Sequence, residues 1–266
     1  MKKIKLFSSL LVISTFSLFS GDLTITYKAQ VKAMKLLPSV SATTVEYHSS
    51  HHKRVNNQKS QIDIIYDYND FTRYIIYHKK KTISKATLDD MIKVLEIVAQ
   101  AHKESPDLFA DLREEIGNTS KITEKKDGVE AILNRKCDKW IISMGKYNAK
   151  ISVDPDLAPP IPQVGKVAML NDFAPYSTMQ GYSDTIGKMN VLVAKYGIPL
   201  KSNVVMPLGS RTLTTSKEAI KIVEGTIPAS VFALPDGYAL EDGGKKIIDQ
   251  ATEMIMTMPR SVVTGR

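Results

Sequence analysis

The sequence predicts an α+β fold in which one antiparallel sheet packs against amphipathic helices. Apolar and polar side chains alternate over residues 22–34, which is the period of a half-buried strand. Apolar residues recur every three or four positions after residue 88 and again over about 244–258, which is the period of a helix with one apolar face. No repeat of solenoid length occurs, so we expect a single domain over residues 21–266.

The alternating pattern returns in further segments of strand length. Asn69-Asp70 supplies a turn before a return strand over 71–79, so this part of the chain is a predicted hairpin. Later strands are expected at 138–144, at 147–153 and within 197–223. The residues predicted to share a face within the earlier strands are Leu23, Ile25 and Tyr27, then Thr43, Val45 and Tyr47, then Ile62, Ile64, Tyr66 and Tyr68, then Phe71, Arg73, Ile75 and Tyr77.

A helix is predicted to begin at Leu88. Thr87 offers its hydroxyl as the N-cap, and Asp90 stands three residues later, as in a capping box. The polar stretch after this helix is expected to end at a turn, Asp127-Gly128, after which strands resume. The apolar stripe of the helix consists of Leu88, Met91, Ile92, Leu95, Val98, Ala99 and His102.

The first twenty residues have the pattern of a secretory signal peptide. Lys2, Lys3 and Lys5 precede an uncharged apolar run over 6–19. Two small residues, Ser20 and Gly21, follow this run. The run is shorter than the roughly 20 residues that a membrane span needs. We therefore expect export to the periplasm or the bacterial envelope with cleavage near Ser20, and an uncleaved anchor is the alternative.

The charge of the chain argues against a nucleic-acid partner. The formal net charge is +8, of which three charges lie in the predicted signal segment, so +5 remains for the rest. Exported proteins seldom meet nucleic acid, whereas anionic membrane surfaces are close to them. Lys79, Lys80 and Lys81 are expected at the solvated end of the return strand, in the turn into the helix, where lysines oppose edge-to-edge association of sheets. Peripheral docking of these lysines on an anionic surface is the alternative.

Few residues form a pattern typical of catalysis or metal binding. Cys137 is the only cysteine, which excludes an internal disulfide, and its position before an apolar strand favours a structural thiol. His48, His51 and His52 are the best metal candidates, but residues three apart in a strand face opposite sides, so we expect polar surface residues. No nucleophile elbow, Walker loop or zinc-protease motif occurs. We therefore predict a non-enzymatic protein without metal or cofactor.

Four stretches of the chain resemble an uncharacterised family of exported bacterial proteins that is grouped with the LolA-like fold. They are YIIYHKKKTISKATLDDM (74–91), RKCDKWIISMGKYNAKISVDPDL (135–157), GIPLKSNVVM (197–206) and TIPASVFALPDGY (226–238). The resemblance implies an incomplete antiparallel β-barrel, or half-barrel, with helices covering its concave face. It also implies a hydrophobic cavity between sheet and helices that accommodates acyl chains.

The leading functional hypothesis is a carrier that buries and releases a lipid, a lipoprotein acyl chain or another apolar ligand, with an acylated protein as one kind of partner. The alternatives are an envelope interaction module with a dry core and, less favoured, a hydrolase whose acidic residues meet only in space. The oligomeric state is left open. Residues expected to line the cavity are Leu23, Ile25, Tyr27, Ile64, Tyr66, Ile75 and Tyr77 on the sheet and Leu88, Met91, Ile92 and Leu95 on the helix.

Overall fold

The computed structural model describes residues 21–33, 40–104, 122–157, 198–208 and 211–257. The predicted signal segment lies outside these residues. Within them the chain forms a twelve-stranded sheet, two α-helices, namely α1 (Leu88–Glu104) and α2 (Gly243–Thr257), and a 3-10 helix (Ala229–Phe232). The strands are β1 (Leu23–Ala33), β2 (Val40–His48), β3 (His52–Asn57), β4 (Ile62–Asp67), β5 (Thr72–Tyr77), β6 (Thr82–Thr87), β7 (Ile122–Ile132), β8 (Arg135–Met144), β9 (Tyr147–Val153), β10 (Pro199–Leu208), β11 (Arg211–Glu224) and β12 (Ala239–Asp242).

The sheet is open and mainly antiparallel. Its strand order is β12-β6-β5-β4-β3-β2-β1-β11-β10-β9-β8-β7, and β12 pairs with β6 in the parallel sense. In the described part of the chain, the edge strands β12 and β7 do not pair with each other. The α+β class predicted from the sequence is thereby confirmed, with α2 at Gly243–Thr257 where about 244–258 was expected.

The strands β3 and β6 were not predicted, and β6 changes the place of the lysine cluster. β3 lacks an apolar alternation, because its sequence is HKRVNN and all six residues are half-buried. β6 lies between the lysines and α1, so Lys79, Lys80 and Lys81 belong to the hairpin turn from β5 to β6. Their prediction as the turn into the helix is therefore wrong, whereas their exposure to solvent is confirmed.

The predicted turn at Asp127-Gly128 is instead an irregularity inside β7. The pairing of β7 with β8 shifts register between Lys126 and Val129, and Gly128 has a φ of 97°. Because glycine has no Cβ, it reaches this left-handed region at little cost. The reversal into β8 occurs at Leu133 and Asn134, which have φ angles of 50° and 62°.

The pairing register assigns the side chains to two faces of the sheet. We call the face that carries Tyr27 the Tyr27 face, and the opposite one the Ile65 face. Side chains of β1, of β7 to β11 and of the connections next to β9 and β10 form two apolar clusters: Leu23, Ile25, Tyr27, Ile132, Cys137, Leu157, Ile198, Leu200 and Ala219, and then Ile142, Ala149, Ile151 and Val153.

The Ile65 face is covered near β3 to β6 by the connection from β11 to β12. Residues 226–238 of this connection are called the strap. Arg54 on β3 donates a hydrogen bond to the carbonyl of Val231, and the rings of His52 and Phe232 stack with their centroids 5.1 Å apart. Tyr238 packs against a buried cluster on the same face, formed by Ile65, Ile76 and Ile83. The strap therefore crosses from the middle of the sheet to its β12 edge.

The two helices pack on each other and on β6. The predicted capping box is confirmed, because the backbone N–H of Asp90 donates to Thr87 Oγ1 over 3.2 Å and the N–H of Thr87 donates to Asp90 Oδ2 over 2.9 Å. A Cβ built on Gly243 would lie 2.8 Å from the carbonyl oxygen of Lys85, so glycine allows α2 to begin directly on β6. No helix in the described ranges is long and apolar enough to cross a membrane.

Candidate functional site

The register places side chains from four strands in ordered rows on the Tyr27 face. His48, Lys53, Tyr66 and Arg73 are successive cross-strand partners on β2, β3, β4 and β5, and we call them the cationic row. The neighbouring apolar row contains Val55, Ile64 and Ile75 on β3, β4 and β5. Strands lie roughly 4.8 Å apart, so each row is a continuous strip of side chains.

A buried charged cluster lies at the β1 end of these rows. Glu46 is 7% exposed and His48 is 1% exposed, and His48 Nε2 lies 3.3 Å from Glu46 Oε2. Lys217 of β11 reaches over β1 to form an ion pair with Glu46, and its Nζ lies 3.7 Å from the centroid of the Tyr27 ring. The Tyr27 hydroxyl donates to the carbonyl of Pro199 over 3.2 Å. The cluster thus joins β1, β2, β10 and β11.

Burial and mutual attraction determine the charge states in this cluster. Burial alone would raise the pKa of Glu46, but Lys217 and Lys53 outweigh it and hold that pKa well below its ordinary value of 4.5. Burial lowers the pKa of His48 below 6.5, and Glu46 opposes this only in part. Burial also lowers the pKa of Lys217, although a third of its side chain, 32%, stays exposed. At neutral pH Glu46 is therefore an anion beside a neutral His48.

Arg73 is a buried cation at the other end of the cationic row. Arg73 is only 6% exposed, and its Nε has no hydrogen-bond partner. Among the described residues the guanidinium of Arg73 takes part in no ion pair. A small pocket adjoins it, lined by Tyr66, Asp67, Tyr68, Phe71, Thr72, Arg73 and Met91.

Lys53 lies two strands away from Arg73, on the other side of Tyr66. Its Nζ is 5.5 Å from the centroid of the Tyr66 ring, which is the geometry of a weak cation–π contact. Tyr66 is the direct cross-strand partner of both Lys53 and Arg73. Two cationic side chains therefore flank one aromatic ring.

The structure brings the predicted sheet residues of the cavity to one face. Leu23, Ile25 and Tyr27 are buried there, whereas Ile64, Tyr66, Ile75 and Tyr77 on the same face are half-buried. On α1, Met91 is 5% exposed and Ile92 is 41% exposed, so Ile92 lies on the solvent side of the helix. Leu88 is half-buried. The side chain of Leu95 lies outside the described part.

The three histidines do not converge. His48 lies on the Tyr27 face, and His52 lies on the Ile65 face, where its Nε2 is 3.5 Å from Asp67 Oδ2. His51 is exposed in the turn between β2 and β3. In the described residues no group of three His, Cys, Asp or Glu side chains is arranged to hold a metal ion.

Cys137 is buried in the cluster that contains Leu23, Ile25 and Tyr27. Burial raises the pKa of its thiol, and the carboxylates of Asp154 and Glu130 raise it further. A thiol in this environment is a poor nucleophile, because the thiolate is the reactive form. These observations fit the structural role predicted from the sequence.

Sequence reasoning missed the charged members of the site. Val45 and Tyr47 share a face of β2 as predicted, but both are half-buried. The polar residues Glu46 and His48 of the opposite face are buried instead. Arg73 was placed on the correct face but not recognised as a site residue. One available signal was its position inside an apolar strand, close in sequence to two tyrosines and two isoleucines.

Comparisons with known proteins yield distant structural likenesses only. No protein-family model matches the chain, and no curated protein matches it. An uncharacterized conserved protein from Thermus thermophilus is 7% identical over 85% of this chain and 92% of that chain, with a TM-score of 0.44. A chain of the Pseudomonas aeruginosa MucA/MucB complex is 10% identical over 81% of this chain and 56% of that chain, with a TM-score of 0.39.

A LolA superfamily protein from Nitrosomonas europaea is also among the similar structures. It is 6% identical over 81% of this chain and 91% of that chain, with a TM-score of 0.31. Likenesses of this strength assign neither a family nor a function. The function must therefore be inferred from the residues of the Tyr27 face.

Proposed function

We propose that the protein is an exported, non-enzymatic binding or carrier protein for a ligand with an apolar chain. The observation that supports this proposal is the partial exposure of the apolar row on the Tyr27 face. Ile64 and Ile75 are half-buried in the middle of the sheet, whereas Ile65 and Ile76 on the opposite face are 2% and 0% exposed beneath the strap. An incompletely covered apolar strip in a sheet interior is typical of a binding surface.

In this proposal the helices act as a cover for the strip. Met91 of α1 lines the pocket beside Tyr66 and Arg73, and α2 begins against Ser84, which is on the Tyr27 face of β6. We take the Tyr27 face to be the concave face of a half-barrel, with the ligand held between sheet and helices by burial and released without a covalent step. Methionine suits such a contact because its flexible side chain adapts to irregular apolar partners.

Native mass spectrometry of protein purified from the cell envelope without detergent tests this function, combined with lipid extraction. A stoichiometric acyl lipid or acylated peptide is the expected result. A clean ligand-free mass from protein that also takes up no added lipid would contradict the carrier function. It would favour the second candidate, a protein-interaction module, for which the exposed edge strand β12 with Leu240 at 64% exposure offers an apolar contact.

The substitution Ile75→Asn is expected to reduce the bound ligand about tenfold or more, because it removes a side chain of the apolar row and places an amide there. Val223→Asn is the matched control, since Val223 is 46% exposed and pairs with Thr24 on the Ile65 face. Ligand occupancy is measured from native mass spectra of both variants. Equal occupancy in the two variants would place the ligand elsewhere.

We also propose that the lysine turn contacts anionic membrane surfaces. Lys79, Lys80 and Lys81 are all exposed, and each basic residue near such a surface contributes roughly 1 kcal/mol. Replacing the three lysines by glutamine is expected to weaken binding to vesicles of anionic lipid by more than tenfold, measured by co-sedimentation. The control replaces three exposed lysines of the Ile65 face, namely Lys28, Lys150 and Lys221. Unchanged binding of the first variant would refute the docking role.

A further inference from the structure

Arg73 is a buried cation that lacks an anionic partner within the described residues. The residue is 6% exposed, its Nε is unsatisfied, and it faces the pocket that Tyr66 and Met91 also line. Burial of an unpaired charge is strongly unfavourable, so such a residue is retained at a cost in stability. A cost of this kind is expected where a ligand later supplies the missing charge.

Lys53 provides a second positive charge in the same row. It approaches the ring of Tyr66 from β3, while Arg73 is the partner of Tyr66 on β5. Their strands are separated by one intervening strand, roughly 10 Å in all, which long side chains can bridge around a single anion. Neither Lys53 nor Arg73 forms an ion pair with a described residue.

The nearest carboxylate on this face, Glu46, attracts Lys53, but one anion does not balance Lys217, Lys53 and Arg73 together. Glu46 is the cross-strand partner of Val55 and already forms an ion pair with Lys217. Asp63 on β4 lies on the Ile65 face, where it meets Arg54 and His78. Asp67 also lines the pocket beside Arg73, but its ion pair is with His52 on the Ile65 face and not with Arg73. The cationic row therefore retains excess positive charge beside the apolar row.

We propose that the cationic row binds the carboxylate or phosphate head group of an anionic amphiphile, between Lys53 and Arg73, while its apolar chain lies along Ile64 and Ile75. This assignment rests on the proposed carrier function and gives the chemical class of the ligand. The planar guanidinium of Arg73 matches the two oxygens of a carboxylate or phosphate. The apolar row follows directly along β4 and β5, so head and chain occupy adjacent strips of one face.

Isothermal titration calorimetry of the purified, delipidated protein tests this assignment with four probes. They are decanoate, decyl phosphate, decanol and inorganic phosphate. The wild-type protein is expected to bind decanoate and decyl phosphate about tenfold or more tightly than decanol, since a charged hydrogen bond is added to the same chain. Arg73→Gln and Lys53→Gln are each expected to bring both affinities down towards that of decanol, while Lys28→Gln on the opposite face leaves them unchanged.

The probes separate failure of the head-group site from failure of the carrier function. Equal affinity for decanoate and decanol would overturn the head-group site and leave the carrier function standing. If the protein binds neither decanoate nor decanol, both the head-group site and the carrier function are overturned. Inorganic phosphate bound as tightly as decyl phosphate would show a site for a free anion, and would overturn the amphiphile assignment. A preference for decyl phosphate over decanoate, or the reverse, would identify which head group the row selects and would support the proposal.

A stability measurement distinguishes ligand binding from a structural role of Arg73. Arg73→Met removes an unpaired buried charge, so the ligand-free variant is expected to melt at the same temperature as wild type or higher. Decanoate is expected to raise the melting temperature of wild type, because it binds only the folded state, and to have a much smaller effect on the variant. A lower melting temperature with unchanged decanoate affinity would assign Arg73 to the scaffold and refute the proposal.

Discussion

The substitution Asp63→Asn is expected to lower the free energy of unfolding by about 3 kcal/mol. Asp63 is 2% exposed, and its carboxylate forms an ion pair with Arg54 and lies 3.1 Å from Nε2 of His78. Asparagine keeps the shape of the side chain but removes its charge, which leaves the Arg54 guanidinium poorly paired where its side chain is only 16% exposed. Urea denaturation of wild type and variant measures the loss.

The same substitution is expected to loosen the strap, because Asp63 orients the groups that hold it. Arg54 donates to the Val231 carbonyl, and His78 Nδ1 lies 3.1 Å from the hydroxyl of Tyr238. Faster amide hydrogen exchange is therefore expected across 226–238. Asp138→Asn serves as the control, since Asp138 pairs with a half-exposed Lys126 and is expected to cost less than about 1 kcal/mol. Equal losses in the two variants would show that Asp63 adds nothing beyond a surface pair.

The strands with an apolar alternation were predictable, because the side-chain period of a strand is a local property of the sequence. β1, β5, β8 and β9 follow it, and the capping box of α1 is equally local. β3 could not be found in this way. Its polar residues interact with residues of other elements, as Arg54 does in its ion pair with Asp63 of β4. These partners are known only once the strands have paired, so the sequence of β3 alone does not indicate a strand.

The face of the sheet was predictable for the apolar residues but not for the charged ones. Residues two apart share a face, which correctly grouped Ile64 with Tyr66 and Ile75 with Tyr77. A buried Glu46 contradicts the general rule that acids are exposed. Its ion pair depends on Lys217, which is 171 residues away in the chain, and no local pattern joins these two positions.

Acidification is expected to destabilise the protein, chiefly through His48 and Glu46. The pKa of His48 is lowered in the folded state, so the unfolded chain binds a proton more readily and the stabilising contribution is lost as the pH falls below 6.5. The pKa of Glu46 is also lowered, so its contribution, complete above 4.5, is lost as the pH falls further through the folded-state value. Each proton taken up on unfolding changes the stability by up to roughly 1.4 kcal/mol per pH unit.

Two histidine variants isolate the first part of this acid response. In His48→Gln the stability between pH 6.5 and 4.5 is expected to depend less on pH than in wild type, and His51→Gln, at an exposed position, is the matched control. The slope, measured by urea denaturation at several pH values, is informative even if His48→Gln lowers stability at every pH. An identical slope in all three proteins would mean that His48 titrates alike in the folded and unfolded states, which its burial against Glu46 and Lys217 argues against.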